Sequence, residues 1–195
     1  MSDYLNIEDF LVPINKDMLS NDEGYREGTM GRAVEAYEEG FPDLETVQIV
    51  LVGCGEQRGA GLYNPSEAAD EIRREFYKLY YWHTSIRVAD VGNIRAGSTL
   101  NDTYAALRTV VHELINIGKT VVVLGGSHDL TLAQYGAFVD DKKSMDAVTV
   151  DAVIDINIDA SQRSENFVMD LLTGEPNYMR HYNHLAFQSY FVHPR

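Results

Sequence analysis

The sequence predicts a three-layer α/β/α domain built on a mainly parallel sheet, and three observations carry that expectation. Apolar runs close in glycine at VQIVLVGCG (Val47 to Gly55) and KTVVVLGG (Lys119 to Gly126). Both runs are continuous rather than alternating, the pattern of strands covered on two faces. Between them lie segments with apolar residues at helical spacing. Strands and helices alternating at such separations form βαβ units, whose right-handed crossovers place helices on both faces of the sheet.

Taken in order, residues 1–45 read as a polar, acidic N-terminal extension and residues 46–195 as the α/β domain. Within the extension, EGYREGTMGRAVEAYEEG predicts a short helix ending at Gly40. Val47 to Gly55 is the first strand of the domain. A helix follows in PSEAADEIRREFYKLYYW, with Ala69, Ile72, Phe76 and Leu79 along one face and Pro65 at its start. Ser85 to Gly92 is the second strand. The next helix carries Tyr104, Leu107, Val111 and Leu114 on one face and stops at Gly118. Lys119 to Gly126 is the clearest strand, DLTLAQYGAF a helix, VDAVIDINID (Val150 to Asp159) a further strand, and HLAFQSYFV (His184 to Val192) a fifth.

Composition narrows the function. With 195 residues and 45% apolar content the chain can bury a real core. A net charge of -14 repels phosphate backbones, so no nucleic-acid partner is expected. The same charge draws divalent metals and guanidinium-like molecules, and it equally serves solubility. Cys54 is the single cysteine, which excludes an intramolecular disulfide and fits a reducing compartment. No basic-then-apolar leader stands at the N-terminus, and no apolar run approaches the roughly 18 residues of a membrane span. A soluble, cytoplasmic protein without a membrane partner is the expectation.

Ligands of open parallel sheets gather at the carboxyl ends of the strands. Three such ends stand out: GCGEQRG, LGGSHDLT and DINIDAS. In the second, Gly125 and Gly126 permit a tight turn before Ser127, and His128 sits at the mouth of the sheet. In the third, Asp155, Asn157 and Asp159 share one face if the strand stays regular. Two carboxylates projected together call for a cation or hydrogen bonds, and hard divalent ions favour such oxygens. If the strand ends early, Asp159 is instead a solvated turn residue; spacing leaves both readings open. Cys54, between two glycines, reads as a small buried residue. The cluster FYKLYYWH reads as a helix face and its exit. His181, His184 and His193, with Tyr178 and Tyr182, read as surface or interface packing.

The two motifs in this order resemble those of the ureohydrolase superfamily, which comprises arginase, agmatinase and formimidoylglutamase. There the first motif reads approximately GGDHS and the second DAHxD. DVGNI and GEQRGAGLYNPSEAADEIR resemble further segments of the family, and the likeness covers roughly Val47 to Asp159. GNIRAG, GGSHDLT and YNHLAFQSYFV look most like a bacterial formimidoylglutamase-like branch. The resemblance implies an arginase-like fold and a pair of Mn²⁺ ions. It makes His128, Asp155 and Asp159 metal ligands, with Asn157 where the family has histidine, and Gly125, Gly126 and Ser127 a substrate loop. It implies hydrolysis of a guanidine or formimidoyl C–N bond in a small amidine or guanidino substrate, and a homo-oligomer. No catalytic residue beyond the ligands is singled out. Two departures matter. An amide oxygen is a weaker ligand than imidazole. The family's later Asp-x-Asp pair has no counterpart, because Asp170 is the only aspartate after Asp159. The expectation is a truncated chain with the metal possibly lost and the hydrolase inactive or incomplete; the alternative is a non-catalytic ureohydrolase-like subunit or interaction module.

Overall fold

The computed structural model describes residues 7–20, 24–157 and 159–191. In chain order its elements are β1 (Leu11–Val12), α1 (Lys16–Leu19), α2 (Met30–Ala33), β2 (Glu35–Ala36), β3 (Ile49–Gly53), α3 (Ala68–Phe76), β4 (Val88–Ile94), α4 (Leu100–Asn116), β5 (Thr120–Leu124), α5 (Leu130–Asp140), β6 (Met145–Val150), α6 (Phe167–Thr173) and β7 (Met179–Leu185). The main sheet runs β1-β4-β3-β5. β3 lies parallel to both β4 and β5, while β1 (antiparallel) and β2 (parallel) share the outer edge of β4. β6 and β7 form a separate two-stranded parallel sheet.

Side-chain alternation along the strands explains the layers. Val50, Val52, Ala89 and Val91 point to one face, where they meet Leu107, Val110, Val111 and Leu114 of α4 and Ala133 and Ala137 of α5. Leu51, Val88 and Leu124 point to the other, where they meet Ala69 of α3 and Tyr77. The domain is thus an α/β/α sandwich with a mostly parallel sheet. A third cluster, formed by Tyr135 with Phe167, Val168 and Leu171, joins α5 to α6.

Polar contacts hold the α3 side. Arg73 and Asp90 are both fully buried and pair through two bonds of 2.8 and 2.9 Å, with the Tyr77 hydroxyl donating to the same carboxylate at 2.8 Å. A buried pair repays its desolvation only with such complete partnering. α4 opens on a capping box: Thr99 accepts from the Asp102 N–H, and Asp102 accepts from the Thr99 N–H. It ends before Gly118, whose φ of 78° is the left-handed helix stop the sequence predicts.

Three expected elements are corrected. Of the helix expected up to Gly40, the described residues from Gly24 on hold the four-residue α2 and then β2, because the segment turns to pair with β4. The expected strand Val150 to Asp159 ends where it was to begin: β6 stops at Val150, and residues 151–157 are irregular. The strand expected at His184 to Val192 lies earlier, as β7, and stops before Ala186 (φ 63°). Val192 and His193 lie outside the described residues. Smaller shifts follow from the same local logic. α3 begins at Ala68 rather than near Pro65, its buried face runs through Ala69 and Arg73 to Tyr77, leaving Ile72 43% exposed, and Leu79 falls past the helix end. Among the described residues no helix is long and apolar enough to cross a membrane.

Candidate metal centre

The centre is assembled where β5 and β6 end. β5 runs into Gly125 and Gly126, with φ of 82° and 80°. A Cβ on Gly126 would lie 2.7 Å from the Cys54 carbonyl oxygen and 2.8 Å from that of Glu56, so only glycine lets the turn lie this close to the end of β3. The Ser127 N–H donates to the Glu56 carbonyl at 3.0 Å, and the Ser127 hydroxyl reaches the same oxygen at 3.3 Å. This turn fixes His128 just ahead of α5.

His128 Nδ1 lies 2.8 Å from Asp155 Oδ2 and 3.6 Å from Asp151 Oδ2. One ligand atom from each of these three residues falls within 4.8 Å of the others. The His128 ring is braced edge-on by Phe167, with centroids 6.1 Å apart. Its side chain is 57% exposed, whereas the Asp155 side chain is 12% exposed, so the cluster opens to solvent on the histidine side. Asp129, the next residue, is buried and accepts a hydrogen bond from Tyr104. Burial and that carboxylate push the Tyr104 hydroxyl above its ordinary range.

Of the residues expected at the site, His128 and Asp155 come together. Asn157 is exposed: its amide donates to Glu165 at 3.3 Å and its oxygen accepts from the Asp159 N–H at 3.2 Å. Asp159 stands exposed in a turn and is not in the convergent group. Asp151 is the residue that sequence reasoning missed. A signal was there: DAVID (Asp151 to Asp155) has the Asp-Ala-x-x-Asp spacing of the second motif and follows directly on β6. In that register Val153 holds the histidine position.

One imidazole nitrogen and two carboxylate oxygens suit a single divalent ion with open coordination positions. They do not make a bridged pair, which needs further shared ligands. Beside the centre, at the ends of β3 and β4, a cavity of about 330 Å³ is lined by Glu56, Arg58, Asp70, Asn93 and Thr103. Burial pushes the Glu56 carboxyl up, but hydrogen bonds from Arg58 outweigh it and hold the group below the usual range. Cys54 is fully buried and its thiol is pushed up to about 11 by burial, which fits a packing residue rather than a nucleophile.

The chain matches the family model described as Arginase family over residues 47–172. It is 34% identical over 117 residues to a formimidoylglutamase of Hahella chejuensis, covering 57% of this chain and 35% of that protein. Among solved structures it is similar to Trypanosoma cruzi formiminoglutamase with Mn²⁺, at a TM-score of 0.63 and 19% identity, covering 78% of this chain and 56% of that one. It is likewise similar to formimidoylglutamase from Bacillus subtilis, at a TM-score of 0.64 and 15% identity, covering 82% and 53%. The matches span 35% and 42% of the length of the curated relatives. The matched segment holds β3 through β6 and most of α6, hence both strand ends that carry His128, Asp151 and Asp155, and on that ground the chain belongs to the arginase family.

Proposed function

We propose that this chain is a ureohydrolase-type domain whose cation site is reduced to three donors, His128, Asp151 and Asp155, and that these 195 residues by themselves hydrolyse amidine C–N bonds little or not at all. The carrying observation is the convergence of those three ligand atoms within 4.8 Å, with Val153 rather than an imidazole at the histidine position of the DAVID register. A valine side chain has no lone pair to offer. A second ion would therefore find no imidazole at that position. Mn²⁺ is the ion the family resemblance favours, and the chemistry a bound divalent ion supplies is Lewis acidity toward water. His128 and the two carboxylates would hold the cation, Phe167 braces the imidazole edge-on, and the exposed edge of His128 leaves a side open to a small amidine or guanidino molecule. Formimidoylglutamate is the first substrate to try, from the likeness to formimidoylglutamases.

A non-catalytic role, as a subunit or interaction module, is the second reading. It is favoured by Val153 together with the exposed aromatic side chains of Phe187, Tyr190 and Phe191. One experiment separates the readings. The purified chain is dialysed against Mn²⁺, its bound metal is counted, and formamide and urea release are followed with formimidoylglutamate, agmatine and arginine. A single ion per chain, lost in His128→Ala, with little or no turnover is expected. Robust Mn²⁺-dependent turnover would overturn the proposal, and no binding at all would leave the non-catalytic reading in its place.

A further inference from the structure

Asp151 is the first residue past β6, where a side chain is free to swing unless its backbone is held. It is held from one side by β7 and the turn after it. β7 runs parallel to β6 with Thr149 opposite His184 and Val150 opposite Leu185. The Asp151 N–H donates to the Leu185 carbonyl at 3.1 Å. At Ala186 the chain turns through a left-handed φ of 63°, and the Gln188 N–H then reaches the Ala152 carbonyl at 2.9 Å. The third tie is a side chain: His184 Nε2 lies 3.0 Å from the Asp151 carbonyl oxygen.

That contact fixes the histidine's protonation pattern. A carbonyl only accepts, so Nε2 carries the hydrogen. In the neutral ring Nδ1 is then an acceptor, and it lies 3.1 Å from the Tyr182 hydroxyl, which donates to it. Tyr182 and His184 stand two apart on β7 and so project to the same face. Both are half-buried, and Phe187 closes on the ring edge-on at 6.4 Å. The consequence for Asp151 is directional. One carboxylate oxygen accepts from the Val153 N–H at 3.0 Å, and the other is left facing His128 Nδ1 at 3.6 Å.

We propose that His184 is a positioning residue of the cation cluster, acting through the Asp151 backbone, with Tyr182 setting its tautomer. The proposal rests on the reading of His128, Asp151 and Asp155 as the cation's donors. Partners one bond removed from a ligand commonly contribute about 10–100-fold to metal affinity, because they hold the ligand in place before the ion arrives. Losing the His184 tie leaves the Asp151 backbone held by the Leu185 and Gln188 bonds alone, so its carboxylate is set less firmly against His128.

The test has two arms, both on the whole chain. The first follows Mn²⁺ itself by the loss of its free-ion paramagnetic resonance signal. His184→Ala is expected to weaken binding by about 10–100-fold, and His184→Gln, which restores an N–H donor, to recover part of that loss. Because His184 acts through Asp151, adding His184→Ala to Asp151→Asn should cost nothing further. The second arm needs no metal. Nitrogen-15 spectra of the histidine rings should show His184 protonated on Nε2, and His184→Ala or His184→Gln should shift the His128 ring signals while thermal midpoints stay near that of the unmodified chain. An unaltered His128 spectrum, a full additional loss on the Asp151→Asn background, or Nδ1 protonation of His184 would each overturn the positioning role. If the unmodified chain takes up no Mn²⁺ while the nitrogen spectra behave as expected, the cation reading fails and the positioning of Asp151 against His128 stands.

Discussion

At the scale of the residue, the centre turns on which side chain occupies the histidine position of the second motif. The sequence offers two registers four residues apart, DAVID and DINID. In the first the position is Val153, whose N–H is bound to Asp151; in the second it is Asn157, whose amide is engaged with Glu165. The two registers make opposite forecasts. Val153→His puts an imidazole between two residues that already face His128, and Mn²⁺ affinity is expected to rise about tenfold or more, since imidazole is a stronger ligand for such ions than any group now there. Asn157→His is expected to leave affinity within about twofold, because its side chain points to Glu165 rather than to the cluster. Calorimetric titration of both variants decides; a gain in Asn157→His alone would restore the DINID register.

At the scale of the element, two glycines share a backbone conformation and differ in surroundings. Gly118 ends α4 at φ 78°, with nothing within 4 Å of where a Cβ would stand. Gly126 turns β5 toward α5 at φ 80°, where a Cβ would meet Leu130 at 2.2 Å and two backbone oxygens under 3.0 Å. Gly118→Ala should therefore cost only the left-handed penalty, about 1–2 kcal/mol. Gly126→Ala should cost at least about 3 kcal/mol, because backbone atoms must also move. It should weaken Mn²⁺ binding as well, since the same turn carries His128. Urea denaturation of both variants reads the difference, and equal losses would show that the turn is looser than its contacts indicate. The end of α4 was readable because its signal is local: Gly118 acts within a single turn.

At the scale of the whole molecule, β5 is hydrogen-bonded to β3 on one side only among the described residues, and β6 with β7 stands as a separate sheet. Open parallel edges and exposed apolar groups invite pairing. Phe187, Tyr190 and Phe191 are 55%, 92% and 59% exposed in the turn that ties down Asp151 and just after it. A homo-oligomer with these side chains at or near the contact is the expected state, against the mutual repulsion of a net charge of -14. Light scattering over a dilution series should show masses above 21.9 kDa that fall on dilution, and Phe191→Asp should shift the balance toward monomer. A constant monomeric mass at tens of micromolar would remove that expectation.

The sequence by itself determined the layered architecture and the strand end on which His128 stands. Its continuous apolar runs placed β3 and β5, its helical spacing placed α3 and α4, and GGSHDLT placed His128 at a strand end, because these signals are written in neighbouring residues. Only the tertiary structure decided where β6 stops and which aspartates reach His128. VTVDAVIDINID is apolar at nearly every second position throughout, so its periodicity cannot mark an end. The end is set by β7, which arrives some thirty residues later, pairs with β6 as far as Val150, and then turns at Ala186 to hold Asp151 and Ala152. A long-range pairing of that kind leaves no mark in local sequence, and it brought Asp151 rather than Asp159 to the histidine.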